Sequence, residues 1–150
     1  MSAPARSRAR SAARLAAVQA LYQWQMEQTP LVRLLDEFHQ HRLGAEIEDV
    51  QYTPAEVAFF DDLVRGTLAR IDEIDAALAA RLAAGWSLAR LDRTMLQILR
   101  VGAYELMARV DVPVGAAISE YVDVAHAFFE AREAKFVNGV LDAVAKDVRS

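Results

Sequence analysis

Cysteine is absent from the 150 residues. That removes disulfide frameworks, thiolate zinc sites, iron–sulfur clusters and cysteine nucleophiles in one step, and it points to a reducing, intracellular setting. Glycine occurs six times and proline four, too seldom to punctuate the many strands and turns of an all-β fold. Neither GxxxxGK[ST] nor GxGxxG is present, so no backbone cradle for a nucleotide phosphate is expected. The longest uncharged stretch near the N-terminus, residues 15–26, is too short to span a bilayer and is interrupted by Gln19, Gln23 and Gln25. No membrane anchor or secretion signal is expected. Of the three histidines, His39 and His41 are two apart and cannot share a helix face, and His126 is remote in sequence. No Glu is followed three residues later by His, the pairing that a di-iron carboxylate bundle requires. Neither a metal, a cofactor nor a catalytic group is expected.

What remains is material for helices. The residues AVILMFWYC make up 54% of the chain and Ala alone accounts for 29 positions, which predicts an all-α protein of one domain. Residues 1–10 read as a polar, basic arm. From about Ser11, Leu15, Val18, Leu21, Tyr22, Trp24 and Met26 predict a first helix ending before Pro30. Leu31, Leu34, Leu35 and Phe38 give a second, short helix that stops near Gly44, followed by an acidic loop over 45–52. Thr53-Pro54-Ala55-Glu56 has the form of a capping box with Pro at the first helical position. A helical period continues from there to about Ala84, with Gly66 a kink and Gly85 a stop and the border between two helical halves. The segment from Leu88 to Arg109 carries apolar groups on more than one face, so it is expected at the centre, with Gly102 admitting a close neighbour. Two further helices follow Asp111-Val112-Pro113, around Ile118–Phe129 and Phe136–Val148.

Charge is unevenly distributed. The chain carries −4 overall, yet residues 1–26 hold Arg6, Arg8, Arg10 and Arg14 and no acid. Such a run is either a solubilising arm or a phosphate-binding surface. Arginine suits the second role because its planar fork grips a phosphate or stacks on an unpaired base. With about four phosphates neutralised, the logarithm of affinity for a single strand should fall with log salt at a slope of roughly −3. A second candidate lies at Arg132, Lys135 and Phe136, two cations beside an aromatic platform. It adjoins Asn138-Gly139, a pair that costs a helix roughly 0.7 to 1 kcal/mol per residue against Ala. Close packing of another helix on Gly139 is the structural account of that pair, and extension of the basic surface is the functional one. The acids Asp61/Asp62 and Asp72/Asp75 read as solvated helix faces.

Several blocks resemble the NusB family of bacterial transcription antitermination factors. They are the Arg-rich start leading into Ala17-Val18-Gln19-Ala20-Leu21-Tyr22, then Trp86 with Arg90-Leu91, and Leu99-Arg100-Val101-Gly102-Ala103-Tyr104-Glu105-Leu106. Asp111-Val112-Pro113 and Lys135-Phe136-Val137-Asn138-Gly139-Val140-Leu141-Asp142 complete the set. The resemblance covers nearly the whole chain. It implies about seven helices in two packed bundles and a non-enzymatic, cytoplasmic function. It further implies pairing with the small ribosomal protein that doubles as NusE, and binding of single-stranded boxA RNA in nascent ribosomal RNA transcripts. The RNA polymerase elongation complex would then be engaged indirectly. By position, RNA contacts fall on Arg10, Arg14, Lys135 and Phe136, with Arg6 and Arg8 as additional charges, and Tyr22 falls on the NusE-facing surface. An acid–base pair that the family places before the central Leu-Arg aligns here with Met95-Leu96, and Asp92-Arg93 lies almost one turn earlier. Before Lys135 the family has small and acidic residues, where this chain has Arg132, a further cation beside the strand.

Two rival readings stand beside this one. Ribosomal RNA methyltransferases carry a NusB-like domain, but no βαβ region for a methyl donor follows the last predicted helix. Alternatively, an acidic helical protein could form a homodimer through Tyr22 and its apolar neighbours without binding RNA. A helix-turn-helix across Pro113–Leu141 is disfavoured by Glu120, Asp123, Glu130 and Glu133, which would face phosphates.

Overall fold

The computed structural model describes residues 3–43 and 54–149. The acidic segment 45–52 and the capping residue Thr53 lie outside the described residues. Seven α-helices and no strand are found among those described: α1 (Ala3–Glu27), α2 (Leu31–Phe38), α3 (Pro54–Ala69), α4 (Ile71–Ala79), α5 (Arg93–Ala108), α6 (Val114–Phe128) and α7 (Ala131–Val148). A π-helical turn, His39–Leu43, prolongs α2, and a 3-10 turn, Leu88–Arg90, precedes α5. The chain divides into two compact units, residues 1–66 and 67–150. The border falls inside α3, not at Gly85, which instead supplies a turn with φ +88° after α4.

In the first unit α1 begins at Ala3, so the basic run expected as an arm is helical. Its inner face is built from Ala9, Ala13, Ala16, Ala17, Val18, Ala20 and Leu21, all buried. Alanine gives a close-packed face but little hydropathic contrast, so the periodic signal starts later than the helix does. α1 ends at Glu27, with Gln28 in the left-handed region at φ 56° and its N–H donating to the Trp24 carbonyl. α2 then buries Leu34, Leu35 and Phe38, the last stacked on Phe60 of α3 at 5.7 Å between ring centroids. Beside this stack His39 bonds Asp61 at 2.5 Å, so Asp61 holds the turn after α2 rather than merely facing solvent.

The single helix expected from Thr53 to Ala84 is broken at Arg70, where α4 starts with Asp72 and Glu73 in its first turn. Acids there suit the positive end of a helix. The Arg70 guanidinium holds the Glu73 carboxyl below its ordinary range by direct hydrogen bonding. In the second unit α5 is the central element. From Met95 to Leu106 every residue but Arg100 is buried, and α4, α6 and α7 each pack on it. Arg100 reaches α4, donating through Nε and Nη2 to the two carboxylate oxygens of Asp75 at 2.9 and 2.8 Å. Asp75 is thus a tie between helices and not a solvated face. Inside, the Tyr121 hydroxyl donates to the buried Glu105 carboxylate at 2.7 Å.

Arg149 closes the second unit. Its guanidinium donates to the carbonyls of Leu106, Val112 and Arg109 at 2.8, 2.6 and 2.7 Å. These lie at and just beyond the C-terminal turn of α5, where carbonyls lack helical partners and the dipole is negative. Arg149→Ala is expected to cost about 2 kcal/mol in urea unfolding, and Arg149→Lys to recover less than half of that, since a single ammonium cannot span the fork. Parent-like stability for Arg149→Ala would show the fork to be ornamental.

Candidate nucleic-acid interface

The four N-terminal arginines share one helix but not one face. At 3.6 residues per turn, Arg6, Arg10 and Arg14 follow one another at intervals of four along a single stripe. Arg8 falls on the other side, in line with Leu15, Tyr22 and Met26. Arg6 and Arg8 are exposed, Arg10 is half-buried, and Arg14 is only 4% exposed. The reason is Phe59 of α3, itself buried, whose ring centroid lies 4.5 Å from the Arg10 guanidinium carbon and 5.1 Å from that of Arg14. A quadrupole of that kind attracts cations and lets a guanidinium leave bulk water at reduced cost. Arg14 therefore serves inside the unit, and Arg10 is held at its edge with its outer side open. Phe59 was not singled out in the sequence. The available signal was Arg14 itself, which falls among the buried Ala13, Ala17, Val18 and Leu21.

On the outward side of α1, Tyr22 is 39% exposed and Met26, one turn on, is 52% exposed. Among the described residues this stripe, with Arg8 near its start, is an exposed face of the first unit.

The second unit carries the other candidate residues on α7. Arg132 and Lys135 are exposed, and the Arg132 side chain, 93% accessible, approaches Glu133 at 3.8 Å. Phe136 is half-buried. Phe128, 45% exposed, ends α6, with the Phe129 ring 6.4 Å from it. Aromatic rings with a free side accept stacked bases, and the two cations supply phosphate attraction.

The acid–base pair sought before the central Leu-Arg has other duties here. Met95 and Leu96 are buried. Asp92 caps α5, accepting from the Thr94 and Met95 N–H groups at 2.8 and 3.2 Å. Arg93 donates to the Ala89 and Leu91 carbonyls at 2.8 and 2.6 Å. Both charged heads are turned onto their own backbone.

Among the described residues no three His, Asp or Glu are grouped so as to hold a metal ion, and no helix is long and apolar enough to cross a membrane. The described residues form helices alone, with exposed cations in each unit and aromatic rings at Phe59 in the first and at Phe128 and Phe136 in the second, an arrangement that suits a binding protein. The family model for the NusB family matches residues 11–146. The "Transcription antitermination protein NusB" of Novosphingobium aromaticivorans is 80% identical, over 95% of this chain and 96% of that relative. The protein of the same description from Sphingopyxis alaskensis is 69% identical, over 96% of this chain and 97% of its own. A crystal structure of the antitermination factors NusB and NusE in complex with double-stranded RNA aligns at TM-score 0.78. Its identity is 27%, and the alignment covers 93% of this chain and 98% of that one. This chain belongs to the NusB family, and it is a transcription antitermination factor, not an enzyme.

Proposed function

We propose that this chain, paired with the small ribosomal protein that serves as NusE, binds single-stranded boxA RNA of nascent ribosomal RNA transcripts in the cytoplasm. Processive elongation is thereby supported, with RNA polymerase reached through the assembly and not directly. The observation that carries the reading is the exposed pair Arg132 and Lys135 beside half-buried Phe136 on α7, cations and a stacking surface on a chain of net charge −4. Arg6 and Arg10 add cations from the first unit. Arg8 stands apart on the Tyr22 side of α1, and the Phe59 ring, which also receives the buried Arg14, holds Arg10. The reading requires both units to contribute to RNA affinity. Tyr22 and Met26 supply the face for NusE, and a second copy of this chain is the occupant of that face when NusE is absent. Support for RNA and NusE as ligands comes from the related complex that contains both.

The duplex in that complex makes strand number the point to test. A boxA-like strand, a scrambled strand, duplex RNA and duplex DNA are titrated by fluorescence anisotropy, with the chain alone and then with NusE. The boxA strand is expected to bind most tightly in the presence of NusE, with a log–log salt slope of about −3. Equal binding of the scrambled strand removes the boxA assignment, and tighter binding of duplex RNA removes the single-strand one. Light scattering of the free chain should give a dimer mass that falls to a heterodimer mass when NusE is added.

A further inference from the structure

The segment between α4 and α5 presents an indole to solvent. Trp86 is 54% exposed and follows Gly85, whose φ of +88° sets the turn. Two arginines hold the segment in shape. The Arg90 guanidinium donates to the Gly85 carbonyl at 2.5 Å, and its carbon lies 5.5 Å from the Trp86 ring centroid. Arg93 donates to the Ala89 and Leu91 carbonyls at 2.8 and 2.6 Å, and the Leu91 side chain is buried. The ring therefore projects from a loop that is already ordered, so a ligand need not meet the cost of ordering it.

Its surroundings narrow what the ring can take. The exposed neighbours Ala83, Ala84, Ser87 and Ala89 are all small. A stable protein contact needs a contiguous face of about 800 Å² per partner, whereas a single projecting ring among small side chains matches one nucleobase. Charge points the same way. No acid occurs between Asp75 and Asp92, in a chain with 21 acids among 150 residues, and that stretch holds Arg81 and Arg90. Arg81 is engaged by both carboxylate oxygens of Asp147, and Asp92 by the N-terminus of α5. Arg90 is thus the cation left beside the ring. We propose that Trp86 and Arg90 form a second RNA subsite, in which a base from outside the boxA element stacks on the indole and Arg90 holds the adjoining phosphate. This rests on the RNA-binding reading above and adds a place for flanking nucleotides. Arg81, five residues before Trp86, is tied to Asp147 in the last turn of α7, about 18 Å along that helix from Lys135. The subsite is reached from that end of α7, by nucleotides other than those at Lys135.

The test compares, with NusE present, the boxA-like strand and the same strand carrying about six further unpaired nucleotides at each end. The parent is expected to bind the longer strand about tenfold more tightly. Trp86→Ala should lose most of that gain and bind the short strand like the parent, and Trp86→Phe, which keeps a ring, should retain part of it. Circular dichroism should be unchanged in both, since the ring is exposed. In a Trp24→Phe background Trp86 is the remaining tryptophan. There the longer strand, added to the chain alone, should quench indole fluorescence and the short strand should not. If the longer strand gains nothing, or Trp86→Ala keeps the gain, the subsite is wrong and the RNA reading stands on the short strand. If the parent binds neither strand, the RNA reading falls and the subsite with it. Weakened NusE pairing by Trp86→Ala, with affinity for the longer strand unchanged, overturns the proposal in favour of a protein contact.

Discussion

Arg132→Glu combined with Lys135→Glu is expected to weaken RNA binding by roughly a hundredfold at moderate salt and to reduce the magnitude of the log–log salt slope by about 1.4. On the proposed reading two phosphate-facing cations become two anions, and the loss of about two counterion-releasing contacts sets the change in slope. The fold should be indifferent. Both side chains are exposed, on the first two turns of α7, where the helix dipole favours acids. Among the described residues the ion pair given up is the loose Arg132–Glu133 contact at 3.8 Å, of a kind worth little at a surface. Circular dichroism and urea midpoints therefore separate a binding defect from a folding one. Within the pair, Arg132→Glu should weaken binding more than Arg132→Ala, since reversal repels where truncation only ceases to attract. Parent-like affinity for both would remove Arg132 from the interface. An unchanged salt slope in the double variant would remove α7 from it.

How far these features could be read in advance depended on what each side chain signals. Pro30 and Pro113 announced the starts of α2 and α6, because proline fits the edge of a helix and not its interior. α5 was readable as central because apolar residues occupy more than one of its faces. The start of α1 was not, since Ala9 and Ala13 fill the inner face without the hydropathic contrast that periodicity needs. Nor was the break at Arg70, because the apolar spacing of Leu68, Ile71 and Ile74 runs on across it. In the candidate site, sequence placed Lys135 and Arg132 correctly on the surface, whereas Arg14 looked the same as Arg10. What separates those two is Phe59, 45 positions beyond Arg14, and spacing along α1 carries no information about which ring a distant helix presents. Asp75 and Asp61 misled for the same reason, since an acid that ties two helices looks the same in sequence as an acid in water.

Gly102→Val is expected to destabilise the second unit by about 4 kcal/mol or more, and Gly102→Ala by about 1–3 kcal/mol despite alanine's better helix propensity. The alanine Cβ would stand 2.8 Å from one Leu141 methyl, 3.2 Å from the other and 3.3 Å from Tyr121 Cγ. Leu141 and Tyr121 are fully buried, so neither has solvent to retreat into. Tyr121 is further restrained by its hydrogen bond to Glu105, and swinging the ring aside would leave a buried carboxylate short of a donor. Relief must therefore come from Leu141. Gly102→Ala should be substantially less harmful in a Leu141→Ala background, a positive coupling readable in a double-mutant cycle by urea unfolding. Simple additivity would show that α5 and α7 separate to make room and that the contact is not rigid. Adding the same methyl at Gly139 should instead stabilise the helix. Placed side by side, the two substitutions distinguish a glycine required by the core from one that the core would replace.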